Sequence, residues 1–258
     1  VYGGSNTKGD VRGGTDVSTK KQGEVITGDC CSDLYVGEIY GAGSHADVKG
    51  DVNITLDCLP DEFVDAVYGG AEEAVIEGNV TLTVTSGRFG RVFGGNNKGG
   101  NIQGSITVNI YEDGCKPLII GEVYGGGNAA PYSIYGCSKD EGTGTWTPNT
   151  EGTLYFNQET EGRAAIQVNI IACTSVGKVF GGGMGSTAKV IGNTNVDVNL
   201  LKGIVEGVKQ STIGKVGQVF GGGGEADVIG NTLVEVGTKL ANEGEDEGVN
   251  ITRGTYTS

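Results

Sequence analysis

Hydrolysis of a glycosidic bond takes two carboxylates flanking it. The acids that the spacing of this chain brings together best are Asp197 and Glu235, which fall at equivalent places in two similar stretches of sequence. If those stretches stack, one acid lies over the other. Stacked like charges mark either a bound cation or a carboxyl of raised pKa; the plainer reading is two solvated surface acids. A second set, Asp10, Asp47 and Asp227, also shares one position of the repeat. With Gly222-Gly223-Gly224-Glu225-Ala226-Asp227 it suggests an oxygen-lined turn for Ca²⁺, against the simpler role of aspartate as a turn former. No other cofactor is indicated. The six cysteines, at 30, 31, 58, 115, 137 and 173, form no CxxC pair, and His45 is the one histidine, so a Cys/His zinc site is excluded. A catalytic thiol needs a base beside it, and His45 is not obviously placed to serve.

Side chains suited to holding a sugar or a protein surface gather between 130 and 163. That segment carries Trp146, Tyr132, Tyr135, Tyr155 and Phe156, with Pro131, Pro148 and Cys137. It is the expected contact region, with Trp146 and Tyr135 as its leading anchors. The alternative is a loop that only packs on the flank of the fold.

The elements that must position these groups come from an internal repeat. A small residue, any residue, Val or Ile, an aromatic and then Gly recur as Ile39-Tyr40, Val67-Tyr68, Val92-Phe93, Val123-Tyr124, Val179-Phe180 and Val219-Phe220, with Val1-Tyr2 opening the chain on the same signature. Downstream comes Val/Ile-x-Gly, as in Val48-Lys49-Gly50, Ile76-Glu77-Gly78 and Ile102-Gln103-Gly104; the fifth repeat lacks it. A strand of strict alternation follows, as in Val80, Leu82 and Val84 against Thr81 and Thr83. Alternate side chains of a strand face opposite ways, so this is an inside and an outside. Asp51, Asn79, Asn193 and Asn231 after the corner glycine read as a stacked amide ladder.

No repeat buries its apolar face alone, so the repeats must stack. The expected fold is all-β: a β-solenoid, a right-handed parallel β-helix of about seven rungs. It forms a single domain over 1–258, with an inserted loop or hairpin at 130–163 and an irregular cap at 237–258. The aromatic-to-aromatic spacings are 38, 28, 25, 31, 56 and 40. Outside the 130–163 segment the variation falls between the last strand of one rung and the first of the next, which puts the loops mostly along one edge. Pro60-Asp61-Glu62-Phe63 reads as the start of one helical turn. The aromatics alternate outward, yet their rings are expected to stack at a covered corner rather than form an exposed strip. Register pairs Cys30 or Cys31 with Cys58, and Cys115 with Cys137 or Cys173, with free thiols as the other reading.

Composition agrees with many tight turns. Glycine makes up 50 of 258 residues, about 19%, against roughly 7% in ordinary proteins. A formal charge of −14 argues against nucleic acid and anionic membrane surfaces as partners. No stretch is long and apolar enough for a membrane helix. The opening Val1-Tyr2-Gly3-Gly4 reads as a processed protein or excised fragment.

Segments such as Val219-Phe220-Gly221-Gly222-Gly223-Gly224-Glu225-Ala226-Asp227-Val228-Ile229-Gly230-Asn231-Thr232 resemble the repeats of secreted or surface-displayed bacterial β-helix proteins. In shape such proteins are similar to the pectin-lyase-like superfamily, which includes lyases, hydrolases, tailspikes and adhesins. The resemblance implies an extracellular or cell-surface protein meeting a glycan or a host or cell-surface protein. The Asn-Thr-Asp, Asp-Asp, Gly-His-Gly and Arg-Ile-Lys strings of pectin-depolymerising relatives are absent. A non-catalytic adhesion, glycan-binding or display protein is therefore the first expectation, and a polysaccharide lyase or glycoside hydrolase the second.

Overall fold

The computed structural model describes residues 1–19, 36–57, 63–112, 117–199 and 213–237, and the backbone of 254–255. Among the described residues the chain is all-β apart from one short helix, and its strands assemble mainly into parallel sheets. The third to seventh repeats each contribute one strand to each of three sheets, and the first two join the middle sheet through the single bridges of Val11 and Val48. The opening sheet runs in the order Val216–Phe220, Ser175–Phe180, Leu118–Tyr124, Gly87–Phe93, Phe63–Tyr68, Glu38–Tyr40, all parallel. The bridge from Tyr2 to Tyr40 extends it. The closing sheet stacks Thr15–Ser18, Val52–Leu56, Val80–Val84, Ile106–Tyr111, Ile166–Ala172, Thr194–Val198 and Thr232–Val236 in parallel. The middle sheet lies between them in two short pieces: Glu73–Ile76 with Gly99–Ile102, and Tyr132–Ser133 with Val190–Ile191 and Val228–Ile229.

The register follows the sequence repeat. Val67 pairs with Val92, Val92 with Val123, and Val80 with Ile106. The inward residues of all three sheets make one continuous buried core. Where the inward position is Thr, as at Thr15 and Thr194, its hydroxyl donates at 2.7 Å to a glycine carbonyl of the neighbouring repeat, which removes the cost of burying it.

Two glycine positions show what the opening signature secures; at the second of them the third repeat has Asp65 instead. A Cβ on Gly94 would stand 2.3 Å from the Gly125 carbonyl oxygen and 2.6 Å from Ile106 Cγ2, so only glycine allows the next repeat to stack there. At the small position, a Cβ on Gly121 would stand 2.5 Å from the Gly90 oxygen. Ile120 and Val123 both face the core on either side of it, so the chain turns a corner at this glycine.

The aromatics leave the core on the outer side of the opening sheet and form a second apolar cluster. Seven rings stack in one file from Tyr2 to Phe220, with centroids 4.6 to 5.1 Å apart and planes within 15° of parallel. The five inner rings are buried. The cover comes from turns two repeats further on. Asn97 donates at 2.7 Å to the Tyr40 hydroxyl, Tyr2 donates at 2.9 Å to Glu72, and Met184 packs on the cluster.

The amide ladder is present. Asp51 Oδ1 accepts from the Asn79 amide at 2.7 Å, Asn79 Oδ1 from Ser105 at 3.0 Å, and Asn193 Oδ1 from Asn231 at 2.9 Å. The fifth repeat does have its middle strand: Tyr132-Ser133 stands where Val190-Ile191 stands in the sixth. An aromatic in the apolar slot and no following glycine hid it. Phe63 opens a strand rather than ending a helical turn, and Pro60 to Glu62 lie outside the described residues. Of 237–258, the described part is Gly237 and the backbone of Gly254–Thr255, which pairs antiparallel with Glu235 and Val236. Cys30, Cys31, Cys58 and Cys115 also lie outside the described residues, and with them the pairing of Cys30 or Cys31 with Cys58. Cys137 and Cys173 are buried free thiols.

Candidate functional site

The inserted segment leaves the middle sheet after Ile134 and returns at Ala165. Its first limb is the hairpin Cys137–Lys139 with Trp146–Pro148. The helix Gln158–Glu161 follows, with Asn157 as N-cap: its Oδ1 accepts from the Glu159 and Thr160 amides at 3.1 and 3.2 Å, satisfying donors that a first turn leaves open. Gly162, at φ 64°, ends the helix. Gln158 anchors it, because its side-chain oxygen accepts from the Ala165 amide at 3.3 Å and from the Asn193 amide. It thereby fills the gap in the ladder where Ala165 has no polar side chain.

The sequence-predicted aromatics separate into different roles. Tyr132 is 2% exposed and lies in the core, with its hydroxyl donating to the Gly104 carbonyl at 3.0 Å, which removes it from the contact residues. It faces inward because it occupies the apolar position of a middle strand. Trp146 is half-buried on the flank of the fold. Its ring lies against Gly99, where a Cβ would come within 2.3 Å of Cδ1, and Nε1 donates to Glu73 at 3.0 Å. Lys139 sits 5.6 Å above the ring and reaches the same Glu73 oxygen at 2.7 Å. Those two donors, Lys139 first, hold the Glu73 carboxyl below its ordinary range. Tyr135 is half-buried. Tyr155 is 47% exposed, while its neighbour Phe156 turns into the core.

Tyr155 forms one wall of a groove of about 280 Å³. Phe156, Glu161 and Arg163 line it from the insertion, and Glu77, Gly78, Asn79, Gln103 and Gly104 from the corners of the third and fourth repeats. The Arg163 guanidinium lies 5.2 Å from the Phe156 ring centre and its Nε 3.9 Å from Glu161. Glu77 holds Lys49 at 2.6 Å. Asn79 is taken up by the ladder, through Asp51 and Ser105. The groove therefore offers an exposed ring, two carboxylates, an amide from Gln103 and a guanidinium. Glu77 and Gln103 occupy the middle of the Val/Ile-x-Gly signature, next to the inward Ile76 and Ile102. Glu161 and Arg163 follow the Asn157 cap, the one sequence signal for a helix here. Nothing in the spacing brought these two groups of residues together.

The register sets Asp197 beside Glu235 and beside Asn169. Asp197 is not a solvated surface acid: it is 4% exposed and accepts from Gln167 Nε2 at 3.1 Å. It ends a file of buried polar groups, Thr83, Asn109 and Asn169, in which Asn169 donates to Asn109 at 2.8 Å. An acid so enclosed does not meet a polysaccharide unless that file opens. Asp47 and Asp10 lie on adjacent repeats, where Asp47 Oδ1 accepts from the Val75 amide at 2.8 Å, and Asp227 pairs with Lys189 at 3.3 Å. Among the described residues no group of three or more His, Cys, Asp or Glu converges as metal ligands would.

Near the start of the chain, Glu72 accepts from Lys98 at 2.6 Å, Ser44 at 2.6 Å and Tyr2 at 2.9 Å. These donors, Lys98 foremost, hold its pKa down at about 2. Burial pushes the Cys137 thiol up to about 12 and Cys173 up to about 11, so neither is a thiolate nucleophile near neutral pH. Among the described residues no helix is long and apolar enough to cross a membrane. Comparison with protein-family models, with curated proteins and with solved structures returned no match.

Proposed function

We propose that this chain is a secreted or cell-surface parallel β-helix protein, right-handed and pectin-lyase-like in shape, which binds glycan without cleaving it. The parallel sheets with one strand per repeat support the helical winding, since parallel crossovers are right-handed in nearly all proteins. The observation that carries the function is the groove beside the insertion. There Tyr155, 47% exposed, shares the lining with carboxylate, amide and guanidinium groups. Small-ligand sites are concave and set a few placed polar groups among aromatic and apolar side chains; this groove has both elements, with the polar ones in excess. The contact region is thus the return limb of the insertion rather than Trp146, which is occupied in seating the hairpin.

A glycan array read with the wild-type chain and with Tyr155→Ala tests this. Binding that falls at least tenfold in the variant, about 1.4 kcal/mol, supports it; undiminished binding removes the groove as the contact region. Glu77 and Glu161 together give the second reading, a glycoside hydrolase or lyase, its particular support. Release of reducing or unsaturated ends that stops in Glu161→Gln would favour that reading over the first.

A further inference from the structure

Resting on the reading of the groove as a glycan site, we infer that it selects uncharged sugars over acidic ones. Its charged lining is two acids and one base, Glu77, Glu161 and Arg163. Both acids already have a cation: Lys49 at 2.6 Å for Glu77, and Arg163 at 3.9 Å for Glu161. The base is likewise engaged, with its guanidinium over the Phe156 ring. A uronate brought to Arg163 competes with Glu161 for the guanidinium and lies beside two carboxylates in a chain of formal charge −14. Like charges at such separations oppose each other, and more strongly where the ligand excludes water.

Hydroxyl groups meet none of that cost. The oxygens of Glu77 and Glu161 accept from sugar O–H groups, the Gln103 amide both donates and accepts, and the Arg163 guanidinium donates. The exposed Tyr155 ring offers an apolar platform for the C–H face of a pyranose at little cost in side-chain order. The cavity lies at the small end of ligand pockets, which run from roughly 300 Å³ upward, so it suits a short stretch of a neutral glycan.

The experiment is calorimetric titration of the full chain with two sets of oligosaccharides of matched length. One set is neutral: malto-, cello-, xylo- and manno-oligosaccharides. The other is acidic: oligogalacturonate and oligoalginate. The expected result is binding of at least one neutral sugar and weaker or no binding of the acidic ones. Neutral affinity should change less than about twofold between low and high salt, as screening has little to act on. Tyr155→Ala and Gln103→Ala should each weaken it by about tenfold. Unchanged thermal melts of both variants exclude misfolding, and Gln103→Ala reports on its own if Tyr155→Ala fails to fold. Tighter binding of an acidic sugar, weakened by salt and lost in Arg163→Gln, would overturn the selectivity and leave the glycan reading standing. Silence of both sets on the wild-type chain would overturn the glycan reading as well.

Discussion

In the ring file, Phe93 lies between Tyr68 at 5.0 Å and Tyr124 at 5.1 Å, and the same contact is made six times along the chain. In the insertion, Trp146 has one seat, on Gly99, and Tyr155 keeps nearly half of its surface in solvent. The two regions use the same side chains under different constraints. A repeated contact has no freedom to face elsewhere, because each inner ring is fixed by its neighbours and buried. An insertion is held at a few points, by Gln158, Trp146 and Tyr132, and between them it is free to present groups outward. Function is therefore to be sought where the repeat is interrupted, and stability where it is not.

The largest test of that contrast is Phe93→Ala. Phe93 is fully buried, and its loss should lower the unfolding free energy by about 3 to 5 kcal/mol, measured by denaturant titration. Phe220→Ala, at the exposed end of the file, should cost clearly less; equal costs would show that the file does not act by burial. Next comes Gln158→Ala. It removes the acceptor of the Ala165 and Asn193 amides and should cost about 1 to 3 kcal/mol, with hydrogen exchange rising around the insertion before the sheets.

A smaller effect is expected with pH. The folded Glu72 carboxyl has a pKa of about 2, below its ordinary 4.5. A depressed carboxylate contributes stability that is full above the ordinary pKa and lost as pH falls through the folded value. Wild-type melting temperature should therefore decline between about pH 4.5 and 2, and Glu72→Gln should flatten that part of the decline. The smallest is Tyr155→Ala, which should leave stability within about 0.5 kcal/mol of wild type while weakening the proposed glycan binding by about tenfold. A large loss of stability would make Tyr155 a packing residue and place the insertion with the repeats.

Much of the fold is legible in order of residues. The pairing of Val67 with Val92 and of Val80 with Ile106 is the sequence repeat laid on itself, and the interruption after the fifth aromatic marks the insertion. The groove was half legible. Tyr155 stood out as an aromatic in that insertion, and Glu77 and Gln103 stood inside the recurring Val/Ile-x-Gly signature, but Glu161 and Arg163 carried no pattern. Tyr132 misled because an aromatic in an irregular stretch looks the same whether it anchors a partner or fills the core. Asp197 misled because alternation tells which face of a sheet a side chain takes and not whether that face is covered.

What the amino-acid order determined by itself was periodic: the repeat, its register, the glycine corners, the inward apolar files and the outward ring file. These follow from local geometry, since a strand alternates and the residue after each aromatic stacks closely only without a Cβ. What tertiary structure alone decided was coverage. Glu72 reaches Tyr2 across 70 residues, Asn97 reaches Tyr40 across 57, and the return limb of the insertion meets the corners of the third and fourth repeats. Such contacts depend on the rise and tilt of successive repeats, and no spacing along one chain encodes which turn will lie over which side chain.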